Sequence, residues 1–202
     1  MKKISSVIII LLIVIVGVLI FLFSDRNNKK GELEGVSTQE ETPSETKSET
    51  NLYVGEDFTI ARPENWIQTH LQSTLVSFQN TSESYPEGSA PAKVNFKSYV
   101  AVSFDNTQAN TIEEISSLVK QQIQAVIPGA SFGSKIKETI SGQPAVITEI
   151  DLRQQDIDFK VLMGIIMKED KYFTISANTT TQKWPEYGPI FYDMIRSFRF
   201  KE

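Results

Sequence analysis

Between residues 51 and 202 the apolar positions recur at two periods, every second residue in short stretches and every third or fourth in two longer ones. That mixture predicts strands interrupted by amphipathic helices. Phe58-Thr-Ile60 alternates ahead of Arg62-Pro63, and Leu75-Val76-Ser-Phe78 is a second short apolar run; both read as strands. Val94, Phe96, Val100, Val102 and Phe104 share one parity, which predicts a strand with one buried face. The segment from Asn80 to Ala92, rich in Ser, Glu, Gly and Pro, reads as a loop.

Thr111 to Ile127 carries the helical period. Ile112, Ile115, Leu118, Val119, Ile123, Val126 and Ile127 fall on one face. Thr111 and Glu114 have capping-box spacing, and Pro128-Gly129 stops the run. Four strands then follow in quick succession. Phe132 to Ile140 turns at Ser141-Gly142-Gln143-Pro144 into Ala145 to Leu152; a turn at Gln154 to Asp156 leads to Phe159 through Met167; Lys168 to Lys171 leads to Tyr172 through Ala177. Connections this short join antiparallel neighbours, so these strands form a meander. Phe159, Val161, Met163, Ile165 and Met167 make one face of the third strand apolar, while Leu162 and Ile166 make the other apolar too. It is therefore expected inside the sheet, covered on both sides. A last helix is expected to begin near Pro189, with Ile190, Phe191, Met194 and Ile195 as its stripe. The fold class is α+β, an antiparallel sheet flanked by helices in an αβα sandwich.

Upstream of this domain the pattern changes twice. Ile4 to Phe23 is an unbroken run of 20 uncharged residues. As a helix it spans about 30 Å, the thickness of a bilayer's hydrocarbon core. Residues 1–24 are read as a transmembrane signal-anchor, because the exit Leu22-Phe23-Ser24-Asp25 lacks the small residues of a cleavage site. Lys2 and Lys3 precede the run while Arg26, Lys29 and Lys30 follow it, so basic residues alone do not set the orientation. The short basic start and the acidic stretch beyond Lys30 favour a domain outside the membrane. Residues 25–50 are expected to be a disordered linker: Gly31 to Thr50 holds six Glu against one Lys, with few apolar residues to offset the entropy of ordering.

Charge and composition narrow the function. Residues 51–202 hold 14 basic and 18 acidic residues with no basic stripe, which speaks against nucleic acid as a partner. The chain contains no cysteine, so neither a lipid thioether nor a disulfide is available. His70 is the sole histidine, too few imidazoles for a zinc site and without a nucleophile-elbow motif to serve as base. No catalytic residue and no cofactor is assigned. The acidic hairpin residues Glu149, Asp151, Asp156 and Asp158 could offer oxygen ligands to calcium, although EF-hand spacing is missing. Trp66, Trp184 and Tyr187 could mark a partner-binding surface, or could be buried. Asn80-Thr-Ser and Asn178-Thr-Thr match the N-glycosylation pattern.

One set of short motifs carries a resemblance: Phe58-Thr-Ile60 with Pro63-x-x-Trp66, Leu75-Val76-Ser-Phe78, the helix opening at Thr111-Ile-Glu-Glu, Ser141-Gly-Gln-Pro-Ala145, Tyr172-Phe-Thr-Ile175 and Ile195-Arg-Ser-Phe198. Together, over Val54 to Phe200, they resemble the PsbP-like (Mog1/PsbP) family. The resemblance implies an antiparallel sheet between helices. Family members include extrinsic subunits of the oxygen-evolving photosystem, a nuclear-transport cofactor and exported bacterial proteins without assigned activity, and no family functional residue maps onto a motif here. The expected function is a non-enzymatic binding or assembly module, anchored in the lipid bilayer at the cell membrane and displayed outside it. Its partner would be a protein or envelope component, met through a sheet edge or helix face. The alternative is a calcium-dependent accessory factor or divergent hydrolase using the acidic hairpin Glu149 to Asp158.

Overall fold

A computed structural model describes residues 51–202. The anchor from Ile4 to Phe23 and the linker at 25–50 lie outside the described residues, among which no helix is long and apolar enough to cross a membrane. The chain order is β1 (Leu52–Val54), β2 (Phe58–Ala61), β3 (Ile67–Thr69), β4 (Val76–Gln79), α1 (Ala90–Lys93), β5 (Tyr99–Asn106) and α2 (Ile112–Val126). It continues through β6 (Ser131–Ile140), β7 (Gln143–Gln154), β8 (Ile157–Lys168), β9 (Lys171–Thr180), a 3-10 turn at Thr181–Lys183, α3 (Trp184–Ser197) and β10 (Arg199–Phe200).

The meander forms as the sequence predicts, because its turns are two residues long and left-handed. Ser141 and Gly142 sit at φ 53° and 74°, and Gln155 and Asp156 at 50° and 59°. Backbone of that hand matches the twist of the strands it joins. Seven antiparallel strands result, in the order β3-β4-β5-β9-β8-β7-β6, with a second small sheet β1-β2-β10. β8 lies inside the large sheet with both faces buried. Phe159, Val161, Met163 and Ile165 join α2 in one core, and Leu162 and Ile166 join α3 and the small sheet in the other. The architecture is thus the expected sheet between helices, with a small sheet added to one outer layer.

Three expectations need correction. Val94 and Phe96 are not strand residues: the chain makes the short helix α1, whose N-cap Ser89 accepts from Ala92 N–H at 3.4 Å, and β5 begins only at Tyr99. A four-residue helix with Pro91 in its first turn leaves too little periodicity to detect among Ser, Gly and Pro. β5 is buried on both faces rather than one, because Val100 and Val102 meet the α3 layer while Tyr99 and Ala101 meet the α2 layer. The last helix starts at Trp184, and Pro189 lies inside it. Pro185 takes the first-turn role that sequence gave to Pro189.

Close packing fastens α3 to the sheet. A β-carbon on Gly164 of β8 would lie 2.6 Å from Ile195 Cγ2, so the missing side chain is what lets the helix approach. At the other end of the sheet, β6 is a long free edge. Its register shifts between Phe132 and Lys135, and its outer residues include Lys135 and Lys137. Bulges and lysines of this kind discourage another strand from adding on, which leaves helix faces and strand ends as the places for recognition.

Candidate functional site

Of the aromatic residues that could mark a binding surface or be buried, Trp66 and Tyr187 are core. Trp66 is 5% exposed and Tyr187 4%, and both pack on the buried Phe191: Trp66 edge-on at 6.0 Å, Tyr187 stacked at 5.9 Å. The Tyr187 hydroxyl accepts from Asn80 Nδ2 at 2.9 Å, and burial followed by the charge of Glu83 pushes its pKa up to about 12. Trp184 is half-buried, with Lys160 Nζ 5.5 Å from its ring centroid. The three side chains therefore seal the α3 layer instead of displaying a platform. Asn178 is likewise buried, its amide donating to Ser176, so it is closed to glycosylation in the folded domain.

Each acid of the predicted acidic hairpin has a basic neighbour. Asp156 and Asp158 both face Arg153 at 3.4 Å, while Glu149 and Asp151 flank Lys160 Nζ at 3.0 and 3.1 Å. Burial draws the Lys160 ammonium down, but bonds to Glu149 and then Asp151 outweigh it and leave the pKa raised. Glu149 also accepts from Tyr192 Oη at 3.0 Å. Among the described residues no group of three or more acids or imidazoles is arranged to hold a metal ion. Asp156 has a turn role instead, since Asp tolerates the left-handed backbone found there.

A groove that the motifs did not mark runs beside the first turns of α2. Thr111 Oγ1 caps the helix by accepting Glu114 N–H at 3.2 Å, and Glu114 Oε2 accepts from Asn110 N–H at 2.8 Å. The capping box thus reaches one residue further back than its usual N-cap partner. The loop before it is pinned to the β8–β9 turn, where Thr107 N–H donates to the Asp170 carbonyl at 2.8 Å. Two adjoining cavities of about 550 and 700 Å³ open along this seam, sharing Thr107, Gln108 and Leu118. The first is bounded by Glu113 and Glu114, the second by Gln122, Asp170 and Tyr172.

Beside the groove, two buried acceptors have no donor among the described residues. Tyr172 is 6% exposed, and its hydroxyl has no hydrogen-bond partner among the described residues. Burial, then the charge of Asp105, pushes its pKa up to about 12. Asp105 stands directly across from Tyr172 in the β5–β9 register, and its Oδ2 is buried without a partner; so is Gln122 Oε1. Each buried acceptor left in this state costs about 1–3 kcal/mol. Leu118, placed by periodicity on the buried stripe, is instead 49% exposed at the groove's lip. One sequence signal was there to be read. Asp105 occupies the α2-facing parity of β5, where Tyr99 and Ala101 are buried, and an acid at such a position needs a reason.

A second polar cluster is structural. The buried Glu83 carboxylate accepts from Ser98 N–H at 2.5 Å and Ser98 Oγ at 3.0 Å, and Ser98 Oγ in turn accepts from Thr179 Oγ1 at 2.7 Å. Lys97 donates to the Glu83 carbonyl. These bonds tie the long loop between β4 and β5 to β9, with Tyr85 half-buried nearby and its pKa raised, chiefly by desolvation.

Fold and layer order define a class of small αβα-sandwich domains built on an antiparallel meander. A family model described as PsbP matches residues 48–200, and the chain belongs to that family. Among solved structures it is similar to cyanobacterial PsbP (CyanoP) from Synechocystis sp. PCC 6803, with 13% identity and TM-score 0.56 over 79% of this chain and 98% of that one. It is also similar to LpqN of Mycobacterium tuberculosis, described as involved in cell envelope biogenesis, at 10% identity and TM-score 0.54 over 73% of this chain and 86% of that one. A Pseudomonas aeruginosa protein of unknown function shows 15% identity and TM-score 0.51, covering 73% and 94% respectively. No curated protein matches the sequence. At these identities the likeness is one of fold.

Proposed function

We propose that this chain is a non-enzymatic binding or assembly module, held at the cell membrane by Ile4 to Phe23 and displayed outside it on the acidic linker 25–50. Its partner is a protein or envelope component. The observation that carries this reading is the groove at α2, where the buried acceptor Gln122 Oε1 lacks a donor beside an exposed Leu118. A surface with unmet hydrogen bonds next to an apolar step is suited to recognition. The envelope-related description of LpqN, which shares the fold, is consistent with an exported role.

Two experiments test the proposal. Protease added to intact cells should degrade the domain; complete protection would place it on the cytoplasmic side. Chemical crosslinking in intact cells followed by purification of the full-length protein should recover one partner reproducibly. Recovery of nothing beyond abundant background proteins would contradict a binding role.

A further inference from the structure

Resting on the binding reading above, we infer that the α2 groove receives an arginine or lysine side chain carried on an extended segment of a partner protein. The charge of the groove selects the sign. Its walls carry Glu113, Glu114 and Asp170, the half-buried Asp105 stands across from Tyr172 in the β5–β9 register, and no Lys or Arg lines either cavity. Of these wall acids Glu113 alone is ion-paired among the described residues, so the charge that selects a cation is that of Glu114 and Asp170. Lys137 holds Glu113 at 2.6 Å on the rim, and Lys171 Nζ sits 5.8 Å from the Phe104 ring centroid, on the α3 side of the sheet. Asp170 forms no ion pair, and it is exposed at the mouth of the cavity that Tyr172 closes from within.

Hydrogen-bonding capacity selects a donor-rich group. Gln122 Oε1, on the cavity wall, is an acceptor without a donor, and so is Asp105 Oδ2 across the strand pair from Tyr172, a residue 6% exposed whose hydroxyl accepts from no protein group. A guanidinium offers five donors in a planar fork and no acceptor, an ammonium three donors, so either complements such a wall.

Shape selects a polypeptide over a free amine. The two cavities of about 550 and 700 Å³ adjoin along α2 from Glu113 to Gln122, more room than one side chain fills. At about 1.5 Å of rise per helical residue that seam is roughly 14 Å long, the length of four or five extended residues. Leu118, at the lip between the cavities, offers an apolar rest to the residue beside the cation. The chain's own stretch Gly31 to Thr50, with six Glu and one Lys, has the wrong sign to fill it.

The test uses the full-length protein in detergent micelles and a fluorescent peptide, acetyl-Gly-Leu-Arg-Leu-Gly, read by anisotropy. Its counterpart with Gln in place of Arg should bind about tenfold more weakly, or worse, as expected for loss of a charge-assisted pair. Asp170→Asn and Tyr172→Phe should each weaken the Arg peptide by about fivefold or more while keeping the circular dichroism spectrum and melting temperature of the wild type. Tyr172→Phe removes only an unpartnered hydroxyl, so folding does not confound it. Equal affinity for the Arg and Gln peptides, or affinity unchanged in both variants, overturns the inference. Competition by argininamide at the same concentration as the peptide would also overturn it, in favour of a small amine. A cellular partner that crosslinks to the Asp170→Asn protein as strongly as to the wild type would sink this inference yet leave the binding reading standing; absence of any cellular partner would sink that reading.

Discussion

Gly164 on β8 and Ile195 on α3 meet so closely that a single added methyl would stand 2.6 Å from the isoleucine Cγ2. Ile195 is fully buried and β-branched, so it has little room to turn away. Gly164→Ala should therefore destabilise the domain by about 1–3 kcal/mol, the usual cost of overpacking a dense core. Urea denaturation of the two proteins checks it, with an unchanged m-value and a lower midpoint as the expected result. Equal midpoints would mean that α3 is more loosely seated than the geometry requires.

Glu83 gives a second stability expectation. Its carboxylate takes two bonds from Ser98, one of them from a backbone N–H that has no other route to a partner in the sheet. Glu83→Ala should cost about 2 kcal/mol, because the removed acceptor leaves a buried donor unmet. Hydrogen exchange at the Ser98 amide should accelerate by more than the global loss of stability accounts for.

Alkaline pH is the third. Tyr172 and Tyr187 have pKa values pushed up to about 12 by burial, against about 10 for an unfolded tyrosine. Between those values the unfolded chain has given up protons that the folded one keeps, so stability falls as pH rises. The stabilisation is complete below pH about 10 and is lost towards pH about 12, by roughly 3 kcal/mol for each group. Thermal melts across that window should show a steep decline, shallower in Tyr172→Phe. A melting temperature flat from pH about 9 to 12 would contradict the burial of both rings.

How far the sequence carried this account depended on the kind of signal. The meander was legible because period-two patterns were long and the turns carried left-handed formers such as Ser141-Gly142 and Asp156. β3 and α1 were not, since three or four residues cannot establish a period. The groove was hidden for another reason. Asp170 reads as a turn residue, Gln122 as a helix surface residue and Tyr172 as a strand residue, and only the antiparallel register beside α2 brings them to one place. Conversely, sequence leaves Trp66 and Tyr187 open between surface and core, because aromatic type carries no information on which face of an element is covered.

Leu118 separates recognition from stability. Being about half exposed, it contributes little to the core, and Leu118→Ser should change stability by no more than about 0.5 kcal/mol. Loss of partner capture by a variant that melts like the wild type would assign the leucine to recognition.

The most direct measurement places a photocrosslinking amino acid at Leu118 on α2 or at Ile190 on α3, two exposed positions on opposite faces of the sheet, in the full-length protein in intact cells. Irradiation should give one discrete adduct from position 118 and none from 190, and Asp170→Asn should lower its yield about fivefold or more. Adducts of equal yield from both positions, or none from 118, would contradict a binding function centred on the α2 groove.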